Sequence, residues 1–126
     1  MAPQLSPMTT VVGTASVHTT AAACDYLAGT DERVVLVTVR EPGMDARDAG
    51  DAANVARTRL PGATVEGVTR EGEPAAAIRA VAEEQGADCV VVGTRRGDPE
   101  LASEPPGSTV RALLATADRP VVVVPV

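Results

Sequence analysis

The sequence predicts an α/β fold: an open, mostly parallel sheet of five strands with helices on both faces. Three observations predict it. Short β-branched runs alternate with alanine-rich helical stretches along the chain. The runs at Val34–Val39 and Val121–Val124 are apolar at nearly every position, as expected of strands inside a covered sheet. Glycine and proline punctuate the boundaries between runs. Such alternation implies a three-layer α/β/α arrangement, and right-handed crossovers limit its connectivity.

The elements follow in order. Thr9 to Gly13 reads as a short β-branched strand closed by glycine. Ala21 to Ala28 suits a helix with Thr19 or Thr20 as its cap. Arg33 to Val39 is the second strand, broken by Pro42-Gly43. Asp45 to Leu60 carries Ala49, Ala52, Ala56 and Leu60 at helical spacing and ends at Pro61-Gly62. Thr64 to Thr69 is the third strand. Pro74 suits a helix's first turn and Gly86 its end, with Ile78, Val81 and Ala82 as the buried stripe. Cys89 to Val92 is the fourth strand. Ser108 caps a fourth helix whose Val110, Leu113 and Leu114 face inward. Val121 to Val124 is the fifth strand. Residues 1–8 read as a tail, with Met8 as an alternative start, and 9–126 as one domain.

Composition excludes several classes. A chain of 126 residues supports one core. No apolar run is long enough to cross a membrane, and no basic segment followed by an apolar stretch marks a signal peptide. The net charge is −6, and all 11 basic residues are arginine. That argues against nucleic acid as a partner and leaves no lysine for a Walker-type loop. Cys24 and Cys89 have neither metal-ligand nor Cys-x-x-Cys spacing and read as reduced, buried residues. No metal site or catalytic triad assembles: there is one histidine, and no nucleophile or carboxylate pair in a glycine-framed cleft. His18 reads as a ligand contact or as a surface or capping residue. Tyr26 reads as helix-face packing.

The last third of the chain carries the functional signal. A buried strand ends in Gly93-Thr94-Arg95-Arg96-Gly97. An acidic, proline-rich loop follows, and then Gly107-Ser108-Thr109 opens a helix. Glycine at a strand end permits close backbone approach, and a helix start offers unpaired N–H groups to an anion. Together these outline a phosphate site. Arg95 and Arg96 favour phosphate, or else form a solvated pair.

At these residues the chain resembles the universal stress protein family. Its nucleotide-binding members carry Gly, two residues, Gly, nine residues, then Gly followed by Ser or Thr. Here three residues separate Gly93 from Gly97, and nine lead on to Gly107-Ser108. The stretch Val65 to Ile78 also resembles the family, and the likeness runs from Thr9 to Pro125. It implies strand order 3-2-1-4-5, as in adenine nucleotide alpha hydrolase-like folds. The ligand crevice then lies at the carboxyl ends of strands 1 and 4.

Residue by residue, the resemblance implies a nucleotide site at Gly13, Thr14, Ala15, Ser16, Val39, Gly93, Thr94, Arg95, Gly97, Gly107, Ser108 and Thr109. Thr14 stands where the family has an aspartate that contacts the nucleoside. Val39 stands where backbone holds adenine. The implied ligand is ATP or AMP, with magnesium reconciling the acidic loop with phosphates. The function expected is that of a cytoplasmic stress-response protein acting by binding. The alternatives are a nucleotide-free dimeric interaction module and a slow ATP hydrolase. Antiparallel pairing of Val121, Val122, Val123 and Val124 with their copies implies a homodimer.

Overall fold

A computed structural model describes residues 9–14, 17–28, 33–40, 46–93 and 108–124. In chain order the elements are β1 (Thr9–Thr14), α1 (Val17–Tyr26), β2 (Arg33–Arg40), α2 (Ala46–Arg59), β3 (Thr64–Glu71), α3 (Pro74–Gln85), β4 (Cys89–Gly93), α4 (Ser108–Thr116) and β5 (Val121–Val124). The strands form one sheet in the order β3-β2-β1-β4-β5. All four ladders are parallel. The fold class and the strand order are as the sequence implies.

Alternation along each strand divides the interior into two layers. Val11, Val35, Val37, Val90 and Val92 face one side, against Ile78, Val81, Val110 and Leu113 of α3 and α4. Val12, Val34, Leu36 and Val91 face the other, against Ala23 and Cys24 of α1 and Ala52, Ala53 and Ala56 of α2. The α2 face is alanine-rich, as its sequence spacing indicates, and Leu60 just beyond the helix adds the one large side chain there.

Two features fix the approach of α3. A Cβ built on Gly13 would lie 2.6 Å from Ile78 Cδ1 and 3.1 Å from Val92 Cγ1. The bare backbone at Gly13 is therefore the seat into which α3 presses Ile78. At the start of α3, Glu73 is the cap. Its carboxylate accepts from the N–H groups of Ala75 at 3.1 Å and Ala76 at 2.8 Å. Gly86 closes the helix in the left-handed region at φ 61, which favours glycine.

Arg119 ties the far end of α3 to β5. Its Nη1 donates to the carbonyls of Ala82 and Ala87, each at 2.9 Å. Its Nε and Nη2 donate to the Asp118 carboxylate at 3.0 and 3.3 Å. A guanidinium supplies this fork of donors to a carbonyl in the last turn of α3, which also accepts from Ala87 N–H at 2.9 Å, and to one just beyond the helix. The hydrogen bond from Arg119 also holds the Asp118 carboxyl below the usual carboxylate range. Asp88 does similar work at the start of β1. Its Oδ2 accepts from Thr9 N–H at 2.8 Å, and its own N–H donates to Thr9 O at 2.8 Å.

Several sequence expectations need correction. β1 does not stop at Gly13, because Thr14 still pairs with Thr38 in the ladder. α1 begins at Val17, so Thr19 and Thr20 lie inside it and neither caps it; Thr20 is fully buried. α4 begins at Ser108 itself, one residue earlier than a cap there would place it. Leu114 does not face inward, being 54% exposed. The inward line of α4 runs through Val110 and Leu113; Leu114 is turned about 100° away from it. Tyr26 is exposed and does not pack a helix face. Cys89 is only half-buried. β2, β3 and β4 extend one or two residues further than the sequence reading placed them.

The Gly13 seat predicts a coupled pair. Gly13→Ala should destabilise by about 1–3 kcal/mol through overpacking. Adding Ile78→Val removes the conflicting methyl and should recover at least about 0.5 kcal/mol beyond additivity. Gly67→Ala meets only Ala53 Cβ, at 3.5 Å, and should stabilise by about 0.5 kcal/mol. Urea unfolding of the parent, the two single variants and the double variant, with Gly67→Ala as a fifth chain, measures all three.

The Arg119 fork predicts a loss of about 1–2 kcal/mol in Arg119→Ala, only partly recovered by lysine, which cannot serve both carbonyls and the carboxylate. The Asp118 carboxyl titrates lower in the folded state than in the unfolded chain. Its support is therefore present at neutral pH and lost as pH falls through the folded value. Unfolding curves below pH 4.5 should be flatter in Asp118→Asn than in the parent.

Candidate functional site

β1 lies between β2 and β4, so the winding of the chain reverses beside it. In a parallel sheet that reversal opens a crevice at the carboxyl ends of the two strands that part there. These are the ends of β1 at Thr14 and of β4 at Gly93. The ladder between them runs from Thr10↔Cys89 to Gly13↔Val92, so the two ends lie side by side. Val39 sits at the same end of β2, buried on the α3 side.

The start of α4 reaches this end too. Its last residue, Thr116, is a short turn away from the amino end of β5. A helix of 9 residues spans about 13 Å, so its first turn lies at the opposite, carboxyl end of the sheet. Ser108 and half-buried Thr109 stand there. The first N–H groups of any helix lack intrahelical acceptors and carry the positive end of its dipole. α3 also starts at this end, but its first-turn donors at Ala75 and Ala76 are already taken by the Glu73 carboxylate.

Of the residues the sequence singles out, Gly13, Thr14, Val39, Gly93, Ser108 and Thr109 belong to elements that end or begin at this crevice. Ala15, Ser16, Thr94, Arg95, Gly97 and Gly107 lie outside the described residues, as do Arg96 and the acidic loop. Gly13 faces Ile78, so its want of a side chain serves packing at this position. Thr14 is buried, and its Oγ1 lies 2.6 Å from Oγ1 of Thr20 in α1. The side chains of Thr14 and Thr20 therefore link the end of β1 to α1.

Sequence reasoning missed two participants. Thr20 was expected near a helix cap, and its alignment with Thr14 appears only once the two elements pack. Glu73 had a local signal: an acceptor side chain immediately before a first-turn proline.

Among the described residues no three His, Cys, Asp or Glu side chains converge to hold a metal ion. Neither cysteine is in a disulfide. Burial pushes the Cys24 thiol up from its ordinary value, which keeps it protonated and inert. The described helices include none long and apolar enough to cross a membrane. The arrangement is suited to holding an anionic ligand by backbone groups and helix termini.

Comparison with known proteins supports this architecture. A universal stress protein in complex with cAMP superposes with a TM-score of 0.73 at 21% identity, covering 95% of this chain and 98% of its own. A universal stress protein from Archaeoglobus fulgidus in complex with dAMP gives 0.67 at 21%, covering 93% and 97%. A protein from Mycobacterium tuberculosis H37Rv gives 0.60 at 29%, covering 73% and 76%. A comparison with curated proteins finds no match. The family model described as the universal stress protein family matches residues 24–125. With four-fifths of its length under that model and the five-stranded order in place, the chain belongs to the universal stress protein family.

Proposed function

We propose that this chain is a stress-response protein that works by binding an adenine nucleotide at the carboxyl ends of β1 and β4. The observation that carries this reading is the convergence of three backbone features at one end of the sheet. These are the end of β1, the side-chain-free end of β4 at Gly93, and the first turn of α4. The relatives bound to cAMP and dAMP support an adenine mononucleotide.

In this reading Gly93, Thr94, Arg95 and Gly97 run beside ribose and phosphate, and Gly107, Ser108 and Thr109 receive the phosphate. Gly13, Thr14, Ala15 and Ser16 form the wall at β1, and Val39 offers backbone to the base. ATP with magnesium is the finer form of the proposal. No described cluster cages a divalent ion, so magnesium would arrive on the phosphates. A nucleotide-free interaction module is the second reading. It is favoured by Thr14, which places a buried, hydrogen-bonded hydroxyl at the strand end.

Mass spectrometry of nucleotide released from gently purified protein, followed by calorimetry with AMP and ATP, separates the two. Retained adenine nucleotide is expected; none retained and none bound would favour the module. Gly107→Val should weaken binding at least about tenfold, because a branched side chain crowds the phosphate approach. Its melting temperature should stay near that of the parent. Unchanged affinity would move the site.

We also propose a homodimer through β5. The two sheet edges differ in kind. β3 presents Glu66, Arg70 and Glu71, with Arg33–Glu66 at 2.6 Å and Arg70–Glu84 at 2.9 Å. Charges of this kind protect an edge from pairing. β5 is four half-buried valines without a charge. A second copy pairing there would close the sheet edge isologously. Sedimentation should show a dimer at tens of micromolar. Val123→Lys should shift it toward monomer. A wild type that sediments as monomer overturns the dimer, and a fully dimeric variant moves the interface elsewhere.

A further inference from the structure

We propose that Tyr26 of α1 and Leu114 of α4 are the two anchors of a self-association surface, one on each face of the β5 edge, and that its occupant is a second copy of this chain. This rests on the β5 homodimer reading above and adds which side chains hold the copies together and how the copies are oriented.

Among the described residues two large hydrophobic side chains are exposed, Tyr26 at 57% and Leu114 at 54%. A single exposed apolar residue is ordinary. These two come from opposite layers and reach the same edge. Around α4, at about 100° per residue, Val110 and Leu113 mark the buried stripe. Ala112 lies half-buried on one flank, toward α3, the helix packed beside α4. Leu114 lies on the other flank, over β5, where Val121 and Val123 face the α4 side. Around α1, Ala23 and Cys24 mark the buried stripe. Asp25 lies on the flank toward α2, where its carboxylate accepts from Arg59 at 2.9 Å. Tyr26 lies on the other flank, toward β5, where Val122 and Val124 face the α1 side.

The edge is thus an apolar band three layers deep, without a charge on β5, in a chain of net charge −6. A second copy fits it by symmetry. Antiparallel pairing of β5 about a two-fold axis normal to the sheet keeps each α4 on the same face as its copy. α4 sits over β4 and β5, where Leu113, Val90 and Val121 line one small notch. A spacing of about 4.8 Å between the β5 copies then sets the two α4 axes roughly 10 Å apart, the separation at which helices pack. Leu114 fills that seam. α1 also covers β1 and β4, so it stays further from its copy, and the longer Tyr26 side chain reaches across Val122 and Val124. The two α4 helices run antiparallel. Exposed Arg111 of each copy therefore lies toward the Asp118 end of the other, and the peripheral charges attract.

The experiment is sedimentation of the full chain over a concentration series, for the wild type, Leu114→Ala, Tyr26→Ala and Thr64→Ala, an exposed change at the β3 edge. Each anchor variant is expected to raise the dimer dissociation constant at least about tenfold, and Thr64→Ala to leave it within about twofold. Tyr26 is the sole aromatic residue of the chain, so tyrosine fluorescence reports on it alone and needs no variant. Its quenching by acrylamide should fall at least about twofold as the wild type passes from monomer to dimer, because the interface excludes water and solutes. A dimer that Val123→Lys dissociates but that either anchor variant leaves within about threefold of the wild type overturns the proposal and leaves the β5 dimer in place. Quenching that stays constant across the transition overturns it as well. A wild type that is monomeric at every concentration removes the dimer reading, and this proposal falls with it.

Discussion

β1 carries the constraint on which the other elements depend. It must satisfy two ladders, one to β2 and one to β4, and two apolar faces, one under α1 and one under α3. All six of its residues are buried. A strand so placed tolerates only side chains matched to the layer above them. Val11 and Val12 fill opposite layers, Gly13 yields space to Ile78, and Thr14 pairs with a hydroxyl from α1. Buried polar groups cost stability unless hydrogen-bonded, and two threonines of β1 have side-chain partners: Thr10 with the Cys89 thiol at 3.5 Å, and Thr14 with Thr20.

The same strand creates the crevice. Connections leave β1 on one side to reach β2 and return on the other to reach β4, so among the described residues no helix spans the gap between the ends of β1 and β4. The gap is a consequence of winding and requires no particular side chain. In this chain the strand ends contribute glycine, a buried threonine and backbone.

The periphery obeys a different logic. Helix ends and sheet edges expose backbone groups, and specific polar residues attend to them. Glu73 holds the N–H groups at the start of α3, Arg119 holds the carbonyls at its end, and Asp88 completes the β1–β4 ladder at Thr9. Ion pairs cover the β3 side, where Arg33 meets Glu66 and Arg70 meets Glu84. Exposed pairs like these are worth little stability each. Their consequence is a charged β3 edge, in contrast to the uncharged valines of β5.

Sequence by itself determined the element order and the parallel sheet. Those depend on local, periodic signals: unbroken valine runs, alanine stripes at helical spacing, and glycine or proline at the breaks; the strand order came only from the family resemblance. It also marked Pro74 and Gly86 as the bounds of α3, because their backbone preferences act within a turn. Tertiary structure alone decided what Gly13, Thr14, Thr20, Leu114 and Arg119 do. Each was legible only as a type: a strand-ending glycine, a substituted carboxylate, a cap, an inward leucine, an arginine before a strand. Their roles are set by residues far away in the chain. Ile78 claims the space at Gly13, and Arg119 reaches carbonyls 32 and 37 positions earlier. A threonine six residues from another meets it only because a strand and a helix pack at that angle. Local propensity cannot encode such meetings, because they depend on which face of each element the packed layers bury.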